Sequence, residues 1–349
     1  MKKLFVVTAV LMLLGLNITV LANITIDTVT VGDAGNAGEL SGWGAGGYGA
    51  DRICGSVGYN YKIGKYEVTS GQYTAFLNAK AATDTYSLYN PNMSRTDTGS
   101  GITRSGASGS YIYSVASDFV NRPVNYVSYW DSCRFANWLG NGQGNGDTET
   151  GAYTLNGYND NDGRTIQRNT GWKWAVTSED EWHKAAYYKG GSANAGYWLY
   201  PTQSNTAPGN NMADPNGNNA NYYTGSGNYP IDNGKYTTVV GEFQNSASAY
   251  GTFDQGGNLW EWNEAIVYQG SDYVFRGLRG GSFNDGLTDD YLQSSFRYNC
   301  DYDPAVEYYW VGFRVSEVVP EPSSFIVLAG GLVGLLAACR GRLHEKTET

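Results

Sequence analysis

Aromatic and β-branched residues alternate partly with polar ones from Tyr59 to Val68, and that pattern predicts a strand. The period then changes. Tyr73, Phe76 and Leu77 fall at helical spacing, so a helix is expected over Ser70 to Ala79, capped by Thr69 or Ser70. Residues 80–120 are rich in Ser, Thr and Gly without strong periodicity and read as an inserted surface loop. Ser128 and Asp131 have capping-box spacing before an apolar stripe of Phe135, Trp138 and Leu139, and Gly140 is expected to end that second helix. A third helix starts near Thr177 or Ser178. Asp180 and Glu181 lie in its first turn, Trp182, Ala185 and Ala186 face inward, and Gly190-Gly191 stops it. Residues 141–165 and 192–235 are Gly- and Asn-rich loop. Short strands are expected at Leu259–Trp262, Tyr273–Arg279 and Trp310–Val315.

Composition supports a loop-rich domain held by aromatic anchors. The chain has 349 residues with 47 Gly, 29 Tyr and only 16% charged side chains, which is unlike a helical bundle. A formal net charge of −10 argues against nucleic acid as a partner, because phosphate contacts need Lys and Arg.

Both ends read as targeting segments. Met1-Lys2-Lys3 followed by the apolar Leu4 to Leu16 and by Val20-Leu21-Ala22 has the order of a signal peptide, giving a mature chain from Asn23; an N-terminal anchor is the alternative. At the other end, Val319-Pro320-Glu321-Pro322-Ser323 precedes an apolar run from Phe325 to Cys339 and then Arg340-Gly341-Arg342. This order resembles the PEP-CTERM sorting signal of envelope proteins. The resemblance implies export to the cell envelope, handling by an exosortase-type protease and an association with exopolysaccharide; an ordinary single-span anchor is the other reading. The expected organisation is a signal peptide at 1–22, one domain at 23–318 with its core at about 40–318, and a sorting tail at 319–349 with a transmembrane segment at 325–339.

The body carries a second resemblance. Ile63-Gly64-Lys65-Tyr66-Glu67-Val68-Thr69, Arg122-Pro123-Val124, Thr177 to Trp182, Gly257-Asn258-Leu259-Trp260-Glu261-Trp262, Arg279-Gly280-Gly281-Ser282 and Gly312-Phe313-Arg314 occur in the order of the formylglycine-generating-enzyme (sulfatase-modifying factor) family. The resemblance implies an α+β, C-type-lectin-like fold with little regular structure. It also implies oxidation of a sulfatase cysteine to formylglycine by copper held on two cysteines, a demand set by the thiolate preference of copper(I). Those two positions are Asp285 and Ser295 here. Trp260 and Ser282 match residues near the family's copper pocket. Copper chemistry is therefore not expected, and a related iron-dependent branch is excluded because its site needs several His. Only His183 lies in the body, where it reads as a solvated helix residue.

The same resemblance implies calcium. Asp254, Gly256, Asn258 and Glu261 match one oxygen-donor site, and Asn221, Tyr222, Asp232 and Gly234 a second. It places the family's structural cysteines at Ala136, Val315 and Ala186, so Cys300 is expected to be free or paired with Cys133 or Cys54. Trp198, Tyr200, Tyr222, Tyr223 and Tyr229 lie in the long variable loop and are the candidates for stacking on sugar rings. The function expected is a non-catalytic, calcium-stabilised binding or matrix protein of the envelope, whose partner is a polysaccharide or an envelope protein. A formylglycine-generating oxidase and a purely structural component are the alternatives.

Overall fold

The computed structural model describes residues 23–214, 217–225, 231–232, 234–285, 289–298 and 302–319. The N-terminal segment 1–22, Tyr229, Cys300 and the tail from 320 lie outside the described residues, and the apolar run Phe325 to Cys339 lies with them. Among the described residues no helix is long and apolar enough to cross a membrane.

In chain order the elements are β1 (Thr28–Val31), β2 (Glu39–Ser41), β3 (Arg52–Cys54), β4 (Tyr61–Gly64), α1 (Ser70–Lys80), β5 (Ile102–Ser105), β6 (Ile112–Val115), α2 (Tyr129–Gly140), β7 (Trp174–Val176), α3 (Glu179–Tyr187), β8 (Trp260–Gln269), β9 (Val274–Arg279), β10 (Val311–Phe313) and β11 (Val315–Val318). One antiparallel sheet has the order β1-β4-β11-β7, and a second has β10-β8-β9 with β10 parallel to β8. This is the α+β, loop-rich architecture expected.

The helices start where their caps predict. Thr69 with Gln72, Ser128 with Asp131 and Ser178 with Glu181 each form a full capping box. Tyr73, Phe76 and Leu77 of α1 and Phe135, Trp138 and Leu139 of α2 all lie in the main core. The Phe135 ring meets Phe76 edge-on at 5.4 Å and Phe313 at 5.4 Å, which joins both helices to β10. Free thiols at Cys54 and Cys133 are buried, and Ala136 and Val315 are fully buried apolar residues.

The structure corrects several expectations. The strand expected from Tyr59 to Val68 is ordered as a strand only over Tyr61–Gly64. Residues 80–120 hold a hairpin, β5 with β6, whose Tyr113 hydroxyl donates to the Ala81 carbonyl at 2.8 Å and closes over the end of α1. The core starts before residue 40, because β1 pairs with β4 along its whole length. α2 does end at Gly140, its last helical residue. The left-handed residue is Gly142 (φ 87°), just past the Asn141 cap. α3 ends at Tyr187, well before Gly190-Gly191, since Tyr188 turns extended to bridge Tyr197. The strand expected at Trp310–Val315 divides into β10 and β11, which serve different sheets. His183 is buried under β2, not solvated. Its Nε2 lies 2.9 Å from Glu39 Oε1, and burial lowers its pKa.

Candidate functional site

The six-residue turn Gly280–Asp285 is built by its own hydrogen bonds. The Ser282 amide donates to Asp285 Oδ2 at 2.5 Å, and the Asn284 amide donates to Ser282 Oγ at 3.1 Å. Burial pushes the Asp285 carboxyl up to about 6, against hydrogen bonds from Trp260 and Ser282 that pull it down. The Trp260 ring packs on Tyr291, Phe296 and Tyr298, with the last at 4.9 Å. Ser295 is buried, and its carbonyl accepts the Gly42 amide at 2.8 Å. A Cβ on Gly47 would lie 2.1 Å from that same carbonyl oxygen, so the 42–47 turn sits directly on Ser295. The positions expected for two thiolates thus hold a carboxyl engaged with its own loop and a covered serine.

Below this turn lies a buried charge cluster. Glu261 lies between Trp182, which donates its indole N–H at 2.8 Å, and Arg314, which pairs with both carboxylate oxygens at 2.6 Å. Glu67 accepts the Asn258 side-chain amide at 3.0 Å and the Leu259 amide at 3.2 Å. Asp254 Oδ2 accepts the Gly241 amide at 2.6 Å. Burial, then the charges of Asp254 and Glu261, raise the Glu67 pKa well above the usual carboxylate range. Burial also pushes Asp254 up to about 6. Three carboxylates, Glu261, Glu67 and Asp254, share the guanidinium of Arg314, an excess of negative charge that a low-dielectric site resists.

The two expected calcium sets meet at one point. Asn221 Nδ2 donates to Asn258 Oδ1 at 3.1 Å, and the Asn258 amide donates to the Asn221 carbonyl at 2.7 Å. Gly257 (φ 84°) makes that approach possible, because a Cβ there would lie 2.4 Å from the Asn221 carbonyl oxygen. Asn221 Oδ1 is buried and has no partner. Glu261 and Asp232 depart from the expected ligand role. Glu261 is taken by Arg314, and Asp232 pairs with Arg122. Gly256 packs against Pro201, and Gly234 is a left-handed turn residue (φ 84°). Among the described residues no group of three His, Cys, Asp or Glu is arranged to hold a metal ion.

The loop aromatics divide. Tyr200 and Tyr222 are 3% and 6% exposed and pack with Ala220 and Leu292, so they are core residues, not a stacking platform. Trp198 is half-buried beneath Lys189, whose Nζ lies 4.6 Å from its ring, and Tyr223 is half-buried. The Thr177 to Trp182 motif contains Glu179, but sequence reasoning missed its role in organising the other side of α3. Glu179 accepts from Arg279, Arg297 and Arg52, and its pKa falls far below the usual range because these charges outweigh burial. No local pattern announces three arginines from three distant segments.

A family profile described as "Sulfatase-modifying factor enzyme 1-like domain" matches residues 56–318. The crystal structure of CarF is 20% identical over 84% of this chain and 99% of its own, with a TM-score of 0.50, and shows the same fold. Treponema denticola variable protein 1 (20% identity, 83% and 94% covered, TM-score 0.48) and PvdO from Pseudomonas aeruginosa (20%, 84% and 92%, 0.43) are also similar. No curated protein matches. The match over 56–318 contains each motif that lines the turn, the charge cluster and α3, and the chain belongs to the family of sulfatase-modifying factor enzyme 1-like domains.

Proposed function

We propose that this protein is an exported, envelope-associated binding or matrix domain that lacks the copper-dependent oxidase chemistry for which the fold is known. The observation that carries this reading is the pair Asp285 and Ser295. Copper(I) needs two close thiolates, and neither a carboxyl held by its own loop nor a covered hydroxyl supplies one. Cys54 and Cys133 do not substitute for them. Both thiols are buried, and burial pushes Cys54 up to about 11 and Cys133 higher still, so neither offers a ready thiolate. A sulfatase-type cysteine peptide incubated with the purified protein, copper, oxygen and reductant is expected to keep its cysteine, as read by mass spectrometry.

Export and envelope retention rest on the two terminal patterns, with an exosortase-type protease as the partner of the tail. Calcium as a structural ion rests on the unpartnered Asn221 Oδ1 and on the unbalanced carboxylates Glu67 and Asp254. Asp254 and Asn221 would supply side-chain oxygens to it, Asn258 Oδ1 staying with the Asn221 and Thr238 donors and Glu261 with Arg314. Chelation is then expected to lower the melting temperature by several degrees, and Asp254→Asn to abolish the response to added calcium. An unchanged melting temperature on chelation contradicts the calcium assignment.

A further inference from the structure

β8 outruns its own sheet. Only Trp260–Trp262 pair with β10, and beyond Asn263 the strand pairs with β9 alone through two register shifts that twist the ribbon. At the far end Tyr268 stacks on Phe275 across the ladder at 5.2 Å and 27°, and Tyr273 stacks on Tyr268 at 5.8 Å and 26°. Tyr268 is 47% exposed, and none of the three rings joins the buried clusters of the described residues. Gly270 is needed beneath them, since a Cβ there would lie 2.5 Å from the Tyr273 ring.

Beside these rings is an open groove of about 650 Å³, lined by Asp160, Asn161, Asp272 and Asp303 with Tyr273 and Phe275. The groove is built from two segments tied together: the Val274 amide donates to the Asn161 carbonyl and Arg164 Nη2 to the Ser271 carbonyl, both at 3.0 Å. Among the described residues no Lys or Arg lines it. Tyr273 and Phe275 are half-buried and line the groove, and the exposed Tyr268 ring stacks on both, so one open aromatic face stands beside the carboxylates.

The geometry points to a carbohydrate site at this ribbon, selective for a polysaccharide of amino sugars with free amines. Flat aromatic faces carry negative charge density and match the C–H face of a sugar ring or a nearby ammonium group. The three carboxylates accept O–H and N–H donors and favour positive charge, whereas a uronic acid polymer would be repelled. The assignment rests on the binding-domain reading above and gives it a ligand class. It moves the site from the 198–229 loop to the β8–β9 ribbon.

Titration calorimetry of the purified protein with glucosamine oligomers tests it. Binding is expected, weakened about tenfold by Tyr268→Ala, the loss of one aromatic contact. Asp272→Asn is expected to weaken binding and to reduce its salt dependence, and Trp198→Ala to leave it unchanged. Circular dichroism checks that Tyr268→Ala stays folded. The proposal is overturned by absence of binding, by Tyr268→Ala binding as well as the parent, by equal binding of glucose oligomers, or by equal binding of a lysine peptide. Any of these leaves the non-catalytic reading intact, because that reading is decided by peptide oxidation alone.

Discussion

Glu179→Ala is expected to leave the protein unfolded or close to it at room temperature. The side chains of Glu179, Arg279 and Arg297 are 2%, 0% and 6% exposed. Arg279 donates to Glu179 through Nε and Nη2, and Arg297 does the same at 2.7 and 2.9 Å. Removing the carboxylate strands two buried guanidiniums. Breaking a buried pair from one side costs about 3–5 kcal/mol, a large share of the roughly 5–15 kcal/mol that holds a domain together. These arginines also donate to the Ser294, Phe296 and Ala50 carbonyls, so the loss reaches β9, the 294–297 turn and the segment before β3. Arg52→Ala is expected to cost far less, because that side chain is 39% exposed and shares its charge with Asp180. Urea unfolding followed by tryptophan fluorescence measures both; a Glu179→Ala midpoint equal to the parent's contradicts the assignment.

The second large effect is a loss of stability as pH rises, set by Glu307 and Asp131. Burial, then the charge of Asp131, pushes Glu307 up to about 8. Burial also pushes Asp131 up to about 6, against hydrogen bonds from Ser128 and the charge of Arg134. Asn90 donates to Glu307, and the Ser128 amide and hydroxyl donate to Asp131 Oδ2 at 2.9 and 2.6 Å. Asp84 adds a third negative charge that raises both groups. Asp131 Oδ1 is buried without a hydrogen-bond partner, and its neighbour Glu307 is held toward its protonated form, so a proton shared between the two carboxyls is the expected arrangement below the pKa of the pair. Both folded pKa values lie above their unfolded values of about 4. The charged forms are therefore penalised in the fold. The pair costs nothing below about pH 4, and its penalty grows as pH climbs through about 6 and 8. Stability is expected to fall by a few kcal/mol between about pH 5 and pH 8 from this pair. Glu307→Gln should raise the urea midpoint at about pH 8 and flatten the profile relative to the parent. Identical profiles for the two proteins contradict the shared proton.

Local chemistry made the helices legible. Ser128 and Asp131 mark the start of α2 because a capping box is a four-residue signal, and Tyr73, Phe76 and Leu77 mark the buried face of α1 because their spacing is helical. The short strands were not legible. β2, β3 and β7 are three residues each, too short to show a period, and β7 exists only through a partner far away in sequence, as with Val176 opposite Val315. The two expected copper positions could be named because Asp285 lies three residues after Ser282 and Ser295 lies five residues before Cys300. The ligand candidates could not be sorted in the same way. Tyr200 and Tyr222 look like Tyr268 in sequence, and only burial separates a ring that fills the core from one held out to solvent. Glu261 read as a calcium ligand because its position in Gly257–Trp262 fits, but Arg314 lies 53 residues away and takes both of its oxygens.

On the proposed function, this member of the family does not oxidise cysteine. The most direct measurement is mass spectrometry of a sulfatase-type cysteine peptide after incubation with the purified protein, copper, oxygen and reductant, beside a catalytically competent family enzyme. An unchanged peptide with this protein and formylglycine with the control is the predicted result. Formylglycine from this protein would contradict the account and would require Asp285, Ser282 and a remaining cysteine to hold copper in an arrangement the family does not use.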